Sequence, residues 1–349
     1  MEGMTLMKTL SRLMCVLCGV AVMSPPALAQ KVGTTSMQFL HVMPCARGTA
    51  MGDAYNVLAL GADAVFWNPS GLALAEKQEF SSTYINWIFD TQQGALSYAV
   101  PLGSLGAAGI QVQYVDFGEF EETSAQRPYI NNPDAPGMTG RTFRPFSYLV
   151  GLSYARSLTD KFSFGLTAKY AHESLFNGDM VTAMITSTSS EVVRTWTNDL
   201  LFDVGIRYNT GYRSVQVGAA LQNFGADARY AKESDLVPLL FRLGIAADVI
   251  GPNALLVSEE EGNRVGLAFD IFQPNDYAQQ EHVGIEYEFQ QTFALRAGYK
   301  FNYDSEGLTL GGGIKHSLGS VKISLDYSYG SLGTYLGNVQ RISLGAELQ

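Results

Sequence analysis

Histidine residues are the side chains of this chain best suited to catalysis or metal binding. The four histidines, His41, His172, His282 and His316, are scattered, and none has a carboxylate at a recognised metal-ligand spacing. No nucleophile-elbow, zinc-protease, phosphate-loop or paired-cysteine motif occurs after residue 30. The sequence therefore predicts a protein that is not an enzyme and that needs no cofactor or metal.

Two weaker candidate sites have structural alternatives. His172 and Ser174 face the same side of one predicted strand, as a lipid hydrolase would need, but they lie too close in that strand for a persuasive dyad. The acidic stretches 119–122 and 259–261 are typical of solvated loop charges, with a calcium site as the alternative. A lipid hydrolase is therefore the least favoured functional class.

The N-terminus has the pattern of a cleaved export signal. A short basic region precedes an apolar run at 13–23, and Ala27-Leu28-Ala29 has the small-x-small pattern of a cleavage site. The run is shorter than the ~20 residues of a membrane-spanning helix. Cys15 and Cys18 lack the preceding small residue of a lipoprotein signal. We expect cleavage after Ala29.

Composition excludes several classes of protein. The chain has 23 basic and 33 acidic residues, a formal net charge of −10, which argues against a nucleic-acid partner. No stretch after residue 30 approaches the ~18 consecutive apolar residues of a membrane-spanning helix. Charged residues make up only 16%, whereas the chain has 36 glycines and 18 tyrosines. This balance is typical of a barrel in which apolar residues alternate with small polar ones. Cys45 alone follows the signal, so no intramolecular disulfide is predicted.

Alternation of apolar and polar residues dominates from residue 79 onward. It is clearest at 293–301 and 321–329, where helical spacing fits neither stretch. A soluble sandwich would also alternate. However, the apolar phase often ends in an aromatic residue, as at Tyr154, Tyr208 and Tyr299, which is typical of the aromatic girdles of membrane barrels.

The alternation of short and long connections between the predicted strands also indicates an all-β transmembrane antiparallel barrel of about 14 strands. The predicted strands are 79–89, 92–102, 105–120, 143–157, 161–173, 199–210, 214–224, 238–250, 264–273, 281–290, 292–303, 308–317, 321–330 and 339–348. Tight turns alternate with long connections at 121–142, 174–198 and 225–237, as in an even-stranded barrel with both ends in the periplasm. The long connection at 253–262 and the short one at 90–91 break this rhythm, which leaves the count open by one hairpin.

The polar phase of the strands carries many charges. They are Lys169, Arg207, Arg242, Asp270, Glu286, Glu288, Arg296, Lys300, Lys322, Asp326, Arg341 and Glu347. Because buried charges must be paired, we interpret them as a structural network on the barrel wall, in preference to a substrate path.

Residues 30–78, before the first predicted strand, differ in composition. Small residues recur at every second position from Ala46 to Ala54, and Pro69 ends any helix at the residue before it. One interpretation is a short capping segment packed against a core. The other is a hatch inside the barrel, because a segment of this size suits a lumen too wide to be filled by side chains.

Two motifs in this segment resemble a known family. The stretches 46–54 and 61–72 resemble the N-terminal signature of the PorV/PorQ family, a branch of the FadL-like outer-membrane proteins. Ser70 and Cys45 stand where alanine and glycine are usual. The chain end lacks the terminal aromatic residue of barrel assembly signals.

The resemblance implies a fourteen-stranded barrel of the bacterial outer membrane with an N-terminal luminal hatch. The expected hatch residues are Arg47, Met51, Gly52, Asp63, Trp67, Asn68, Pro69 and Gly71. PorV-like relatives serve type IX secretion and surface attachment, whereas FadL-like relatives carry hydrophobic molecules. The implied partners are outer-membrane lipid together with secretion-system proteins or secreted cargo, and the alternative is a hydrophobic ligand.

These observations divide the chain into three parts. We expect a signal peptide at 1–29, a hatch segment at 30–78 and a barrel at 79–349.

Overall fold

The computed structural model describes residues 33–129, 132–186, 189–231, 233–258 and 262–348. The predicted signal peptide and the acidic stretch 259–261 lie outside the described residues.

The chain forms fourteen long β-strands that pair antiparallel in chain order. They are β1 (Glu79–Asn86), β2 (Gln92–Pro101), β3 (Ala107–Asp116), β4 (Phe146–Ser157), β5 (Phe162–Ser174), β6 (Trp196–Asn209), β7 (Gln216–Gly225), β8 (Leu240–Gly251), β9 (Asn263–Pro274), β10 (Gln280–Phe289), β11 (Phe293–Phe301), β12 (Leu308–Leu318), β13 (Val321–Ser331) and β14 (Asn338–Leu348). β1 pairs with β14, with Thr83 opposite Ser343, so the sheet closes. The prediction of an antiparallel barrel of about fourteen strands is confirmed.

The two faces of the barrel wall differ in exposure. Buried and exposed positions alternate along the strands, most regularly in β5 and β6. Large apolar side chains are exposed on the outside, among them Leu152, Leu200 and Leu295, which are 64–66% exposed. Apolar side chains at every second position around a closed sheet are stable when the surrounding solvent is lipid. The inward positions carry the polar and charged side chains.

Two of the predicted long connections are β-hairpins. Phe120–Tyr129 pairs with Asn132–Phe143, and Met180–Thr186 pairs with Ser189–Arg194. The predicted strand 105–120 was too long, because the chain leaves the barrel after Asp116 and starts the first hairpin at Phe120.

The barrel has two distinct ends. We call the end that carries these hairpins the loop end. The opposite end, where short connections such as 158–161 and 319–320 join the strands, is the turn end.

Short helices occupy the N-terminal segment. They are a 3-10 turn at Gln38–His41, α1 (Ala46–Ala50), α2 (Gly61–Trp67) and a 3-10 turn at Pro69–Leu74, and α3 (Gly333–Leu336) follows β13. α2 ends at Trp67, and Asn68 is its C-cap, so the helix stops before Pro69 as predicted. The Asn68 side chain then accepts a hydrogen bond from Ser70 N at 3.1 Å and starts the next turn. In the parts of the chain described above, no helix combines the length and the apolar character needed to cross a membrane.

Candidate functional site

The N-terminal segment contacts the inner face of the barrel on several sides. Ala46 N donates to Ser343 Oγ on β14 at 2.8 Å, and the Asn56 amide donates to Gly218 O on β7 at 2.9 Å. Gln113 of β3 donates its amide to Val42 O at 3.2 Å. The segment therefore lies within the ring of strands. This position is compatible with a hatch, and the hatch role itself stays a prediction.

Inward-facing glycines allow the segment to approach the wall closely. A Cβ on Gly298 of β11 would lie 2.1 Å from Gly52 N. On Gly205 of β6 it would lie 2.1 Å from Asn68 Oδ1. Both distances are far inside van der Waals contact, so glycine is needed at each position. These wall positions were not predicted from the sequence, although glycine on the polar phase of a strand was the signal available.

Asn68 and Pro69 fix the segment to β6. Asn68 is fully buried, and its amide donates to Ile206 O at 3.2 Å. Its Oδ1 also accepts a 2.6 Å hydrogen bond from Ser70 Oγ. Gly71 lies in the same turn, and a Cβ at this position would lie only 2.0 Å from Ala59 O. Three of the predicted hatch residues thus belong to one packed turn against the wall.

Arg47 belongs to a buried ion network. Its guanidinium contacts both carboxylate oxygens of Glu286 on β10, at 2.8 and 2.9 Å. Glu286 also accepts hydrogen bonds from Arg264 on β9 at 3.1 Å and from Arg296 on β11 at 2.6 Å. Arg296 in turn donates to Asp326 on β13 at 2.6 Å. Because unpaired buried charges are costly, this network holds α1 against four strands.

A second ion pair fixes the turn after α1. Lys300 Nζ lies 2.5 Å from Asp53 Oδ2 and 2.6 Å from Glu306 Oε2. Gly52 and Asp53 both have left-handed backbone angles, with φ of 65° and 64°. Met51, just before them, is fully buried. Met51 and Gly52 are predicted hatch residues and Asp53 is not, because nothing in the local sequence around Asp53 reveals the distant lysine.

Asp63 and Trp67 lie in two different environments. Asp63 Oδ2 accepts a hydrogen bond from the Cys45 thiol at 2.9 Å, and burial raises the pKa of both groups. Trp67 is fully buried and packs edge-on against Tyr55, with 5.4 Å between ring centres. The Arg242 guanidinium lies 5.2 Å from the centre of the Trp67 ring. The predicted hatch residues are therefore spread along the lumen and do not form a single cluster.

Two cavities flank the turn between Arg47 and Tyr55. A cavity of about 240 Å³ lies toward the turn end and is lined by Arg47, Tyr55 and Asp63. A cavity of about 510 Å³ lies at the loop end and is lined by Asp53, Arg242 and residues of the connections after β1, β9 and β11. We call them the turn-end cavity and the loop-end cavity.

Asp276 ties the start of the segment to the loop end. It accepts hydrogen bonds from Thr35 Oγ1 at 2.6 Å, from Gln38 Nε2 at 3.1 Å and from His41 Nε2 at 3.1 Å. Burial alone would raise the pKa of Asp276. The hydrogen bonds outweigh burial and lower the pKa to about 2.

The weaker candidate sites have other partners. His172 Nδ1 is hydrogen-bonded to Asn198 Oδ1 at 2.6 Å, and Ser174 Oγ accepts from Gly178 N at 2.7 Å. Glu122 pairs with Arg141 at 2.7 Å. Within the described ranges, no group of three or more His, Cys, Asp or Glu residues could hold a metal ion.

Comparisons with known proteins agree with this architecture. The family model described as "Type IX secretion system protein PorV" matches residues 26–260. No curated protein matches the sequence. The chain is similar to a crystal structure of the Pseudomonas putida toluene transporter TodX, with a TM-score of 0.56 and 13% identity over 86% of this chain and 97% of TodX. A second TodX crystal structure gives a TM-score of 0.53 and 14% identity over 86% and 95% of the two chains. At these identities the likeness concerns the fold.

Proposed function

This chain belongs to the PorV family of type IX secretion system proteins, and we propose that it serves protein secretion as a non-enzymatic platform in the bacterial outer membrane. On this proposal, the barrel holds secretion-system proteins or secreted cargo at its loop end while outer-membrane lipid surrounds its wall.

The main support for the proposal is that the N-terminal segment fills the lumen and is anchored to the barrel wall. The segment between Arg47 and Gly71 is held by ion pairs to Glu286 and Lys300 and by backbone contact with wall glycines. A lumen filled in this way favours a role for the surface of the barrel over bulk passage through it.

The loop end offers a preformed protein-binding surface. Phe143 of the first hairpin stacks on Phe176 before the second, with ring centres 4.5 Å apart, and on Phe120 at 5.6 Å. Arg144 forms an ion pair with Asp116 at the base of the first hairpin. Among the described residues, each hairpin is a separate two-stranded sheet, and partner proteins commonly bind by adding a strand to the edge of such a sheet.

Replacement of the first hairpin tests this role. Residues 121–142 would be exchanged for a short Gly-Ser turn, and α3 in the connection before β14 would be exchanged similarly as the control. We expect the hairpin exchange to abolish co-purification of secretion partners from gently solubilised membranes and surface attachment of cargo, while the barrel still assembles. Unchanged attachment with an intact barrel would refute the proposal.

A second candidate function is transport of hydrophobic small molecules. The loop-end cavity of about 510 Å³ and the fold shared with the toluene transporter TodX favour it. Deletion of the gene separates the two candidates. Loss of cargo attachment supports the platform, whereas loss of lipid or hydrocarbon uptake with normal secretion supports the carrier.

A further inference from the structure

Three neighbouring turns at the turn end carry large exposed apolar side chains. They join β2 to β3, β4 to β5 and β6 to β7, at residues 102–106, 158–161 and 210–215. Leu105, Leu158 and Tyr212 are 64%, 61% and 67% exposed. Apolar side chains that cluster in this way on a surface usually mark a site of contact with a protein or a membrane. We call these three turns, together with Arg156 two residues before the second of them, the turn-end rim.

The three turns form one continuous surface. Because β3 pairs with β4 and β5 pairs with β6, each turn lies beside the next one in chain order. Tyr154 of β4 donates from its hydroxyl to Leu105 O in the first turn at 2.5 Å. Asn209 N, at the end of β6, donates to Lys161 O in the second turn at 2.8 Å. The apolar side chains of the rim therefore belong to one patch.

The charged side chains of the rim are mainly basic. Arg156, Lys161 and Arg213 are exposed, and Asp160 is the single acidic residue of these stretches. Arg213 donates from Nη1 to Ala254 O at 2.6 Å, which holds it beside the third turn. The rim therefore combines exposed apolar side chains with a net positive charge, as surfaces that bind anionic membranes do.

The opposite side of the turn end has a different composition. In the ring of fourteen strands, the turn between β10 and β11 lies opposite β3 and β4, and it contains Gln290 and Gln291. The next turn, between β12 and β13, consists of Gly319 and Ser320. Neither turn contains a basic or a large apolar residue, and the connection between β8 and β9 includes the acidic stretch 259–261. The combination of apolar and basic side chains is therefore confined to one side of the turn end.

The rim also continues the lipid-facing wall. Leu152 and Tyr154 lie on the outward phase of β4, and Leu158 follows Tyr154 after four residues, about 13 Å of extended chain. Arg156 lies between them on the same outward phase. A long cationic side chain at this position can reach lipid phosphates while its apolar stem stays against the membrane. Continuity with the lipid-facing wall and positive charge at its edge together favour lipid over a protein as the occupant of the rim.

We infer that the turn-end rim binds anionic phospholipid, with its apolar side chains at the edge of the acyl layer and its three cations at the lipid phosphates. Because the opposite turns lack such a surface, the barrel lies deeper in this leaflet on the side of β3 to β6. The inference does not depend on the secretion role or on which leaflet of the membrane meets the turn end.

The depth of the rim in a bilayer tests its insertion. On a Cys45→Ser background, Leu158→Cys and, as the control on the opposite side, Ser320→Cys would each be labelled with bimane in the purified protein in lipid nanodiscs. We expect brominated phospholipid to quench the label at position 158 strongly and that at position 320 weakly, with the reverse order for iodide in the water. A label at position 158 that is quenched by iodide but not by brominated lipid would overturn the proposal and leave a protein partner as the occupant of the rim.

The preference for anionic lipid has its own readout. In nanodiscs of phosphatidylglycerol and phosphatidylcholine with only one of the two brominated, quenching at position 158 gives the relative binding of the two lipids. Since one cationic side chain at an anionic surface is worth about a fivefold change in binding, we expect phosphatidylglycerol to be favoured by at least that factor. Arg156→Gln combined with Lys161→Gln should remove most of this preference, whereas Arg144→Gln, at the loop end, should preserve it. Equal binding of the two lipids without these substitutions, or an unchanged preference in the double variant, would overturn the anionic site.

Discussion

Asp53 Oδ2 and Lys300 Nζ lie 2.5 Å apart and join the turn between the two cavities to β11. Two residues before Lys300, the backbone of Gly298 meets the backbone of Gly52. The ion pair and the close backbone approach therefore fix the same turn from the same strand. This turn lies between the loop-end cavity and the turn-end cavity, since Asp53 lines the first and Arg47 and Tyr55 line the second.

Removal of the Lys300 charge should release this turn. Lys300→Met leaves Asp53 buried without its cation, which typically costs about 3–5 kcal/mol. We expect a lower urea midpoint of unfolding and faster maleimide labelling of Cys45. Lys77→Met, which breaks the exposed Lys77–Glu347 pair, is the control and should cost at most about 1 kcal/mol. Equal behaviour of the two variants would contradict an anchoring role.

A methyl group at Gly298 should displace the segment. The added Cβ would lie 2.1 Å from Gly52 N, and the backbone there cannot move without disturbing the turn. We expect Gly298→Ala to lower stability by about 1–3 kcal/mol, the usual cost of overpacking, in urea unfolding. Gly94→Ala on β2, where a Cβ would meet no atom within 4 Å, should be close to neutral. A neutral Gly298→Ala would refute the close approach.

Acid should detach the start of the segment from the loop end. The pKa of Asp276 is lowered from 3.8 to about 2, so its carboxylate stabilises the folded state above pH 4. This stabilisation is lost as the pH falls from about 4 toward 2. We expect the protection factors of the amides of residues 34–41, which are exchange rates corrected for the intrinsic effect of pH, to fall across this window. In Asp276→Asn these protection factors should be low already at pH 7 and should change little with pH, and a pH response equal to that of the wild type would contradict the assignment.

Cysteine accessibility should define which end of the barrel faces outward. On a Cys45→Ser background, Met138→Cys lies on the first hairpin and Asp160→Cys lies in a tight turn at the other end. We expect a membrane-impermeant maleimide to label position 138 but not position 160 in intact cells. The reverse result would invert the orientation.

The signal peptide is tested on the mature protein. Mass spectrometry of protein from outer-membrane fractions should find Gln30 as the first residue. Peptides from residues 1–29 in that fraction would exclude cleavage after Ala29.

Strand positions followed from the sequence because of a local rule. Each strand residue faces either lipid or the lumen. Apolar and polar residues therefore alternate with a period of two in stretches such as 293–301 and 321–329. The start of β13 was predicted to the residue, at Val321. Ends such as that of β3 were less certain, because a hairpin beyond the membrane continues the same extended backbone and much of the same alternation.

The N-terminal motifs also predicted local features of the segment before the barrel. Pro69 predicted the end of α2, and the motif around Trp67 predicted a segment distinct from the barrel. What these residues contact could not be inferred, since Asn68 binds Ile206 and Arg47 binds Glu286 across long stretches of chain.

The sequence alone determined the class of fold, a count of about fourteen strands and the family resemblance, all of which depend on local period and motif. Only the tertiary structure decided the partners of Asp53 and Arg242, the glycines that admit the segment, and the two cavities. Ala46 and Ser343, 297 residues apart, show the reason. Closing the barrel brings every strand around one lumen, so the contacts there are set by position around the ring and depth in it, which no local sequence pattern encodes.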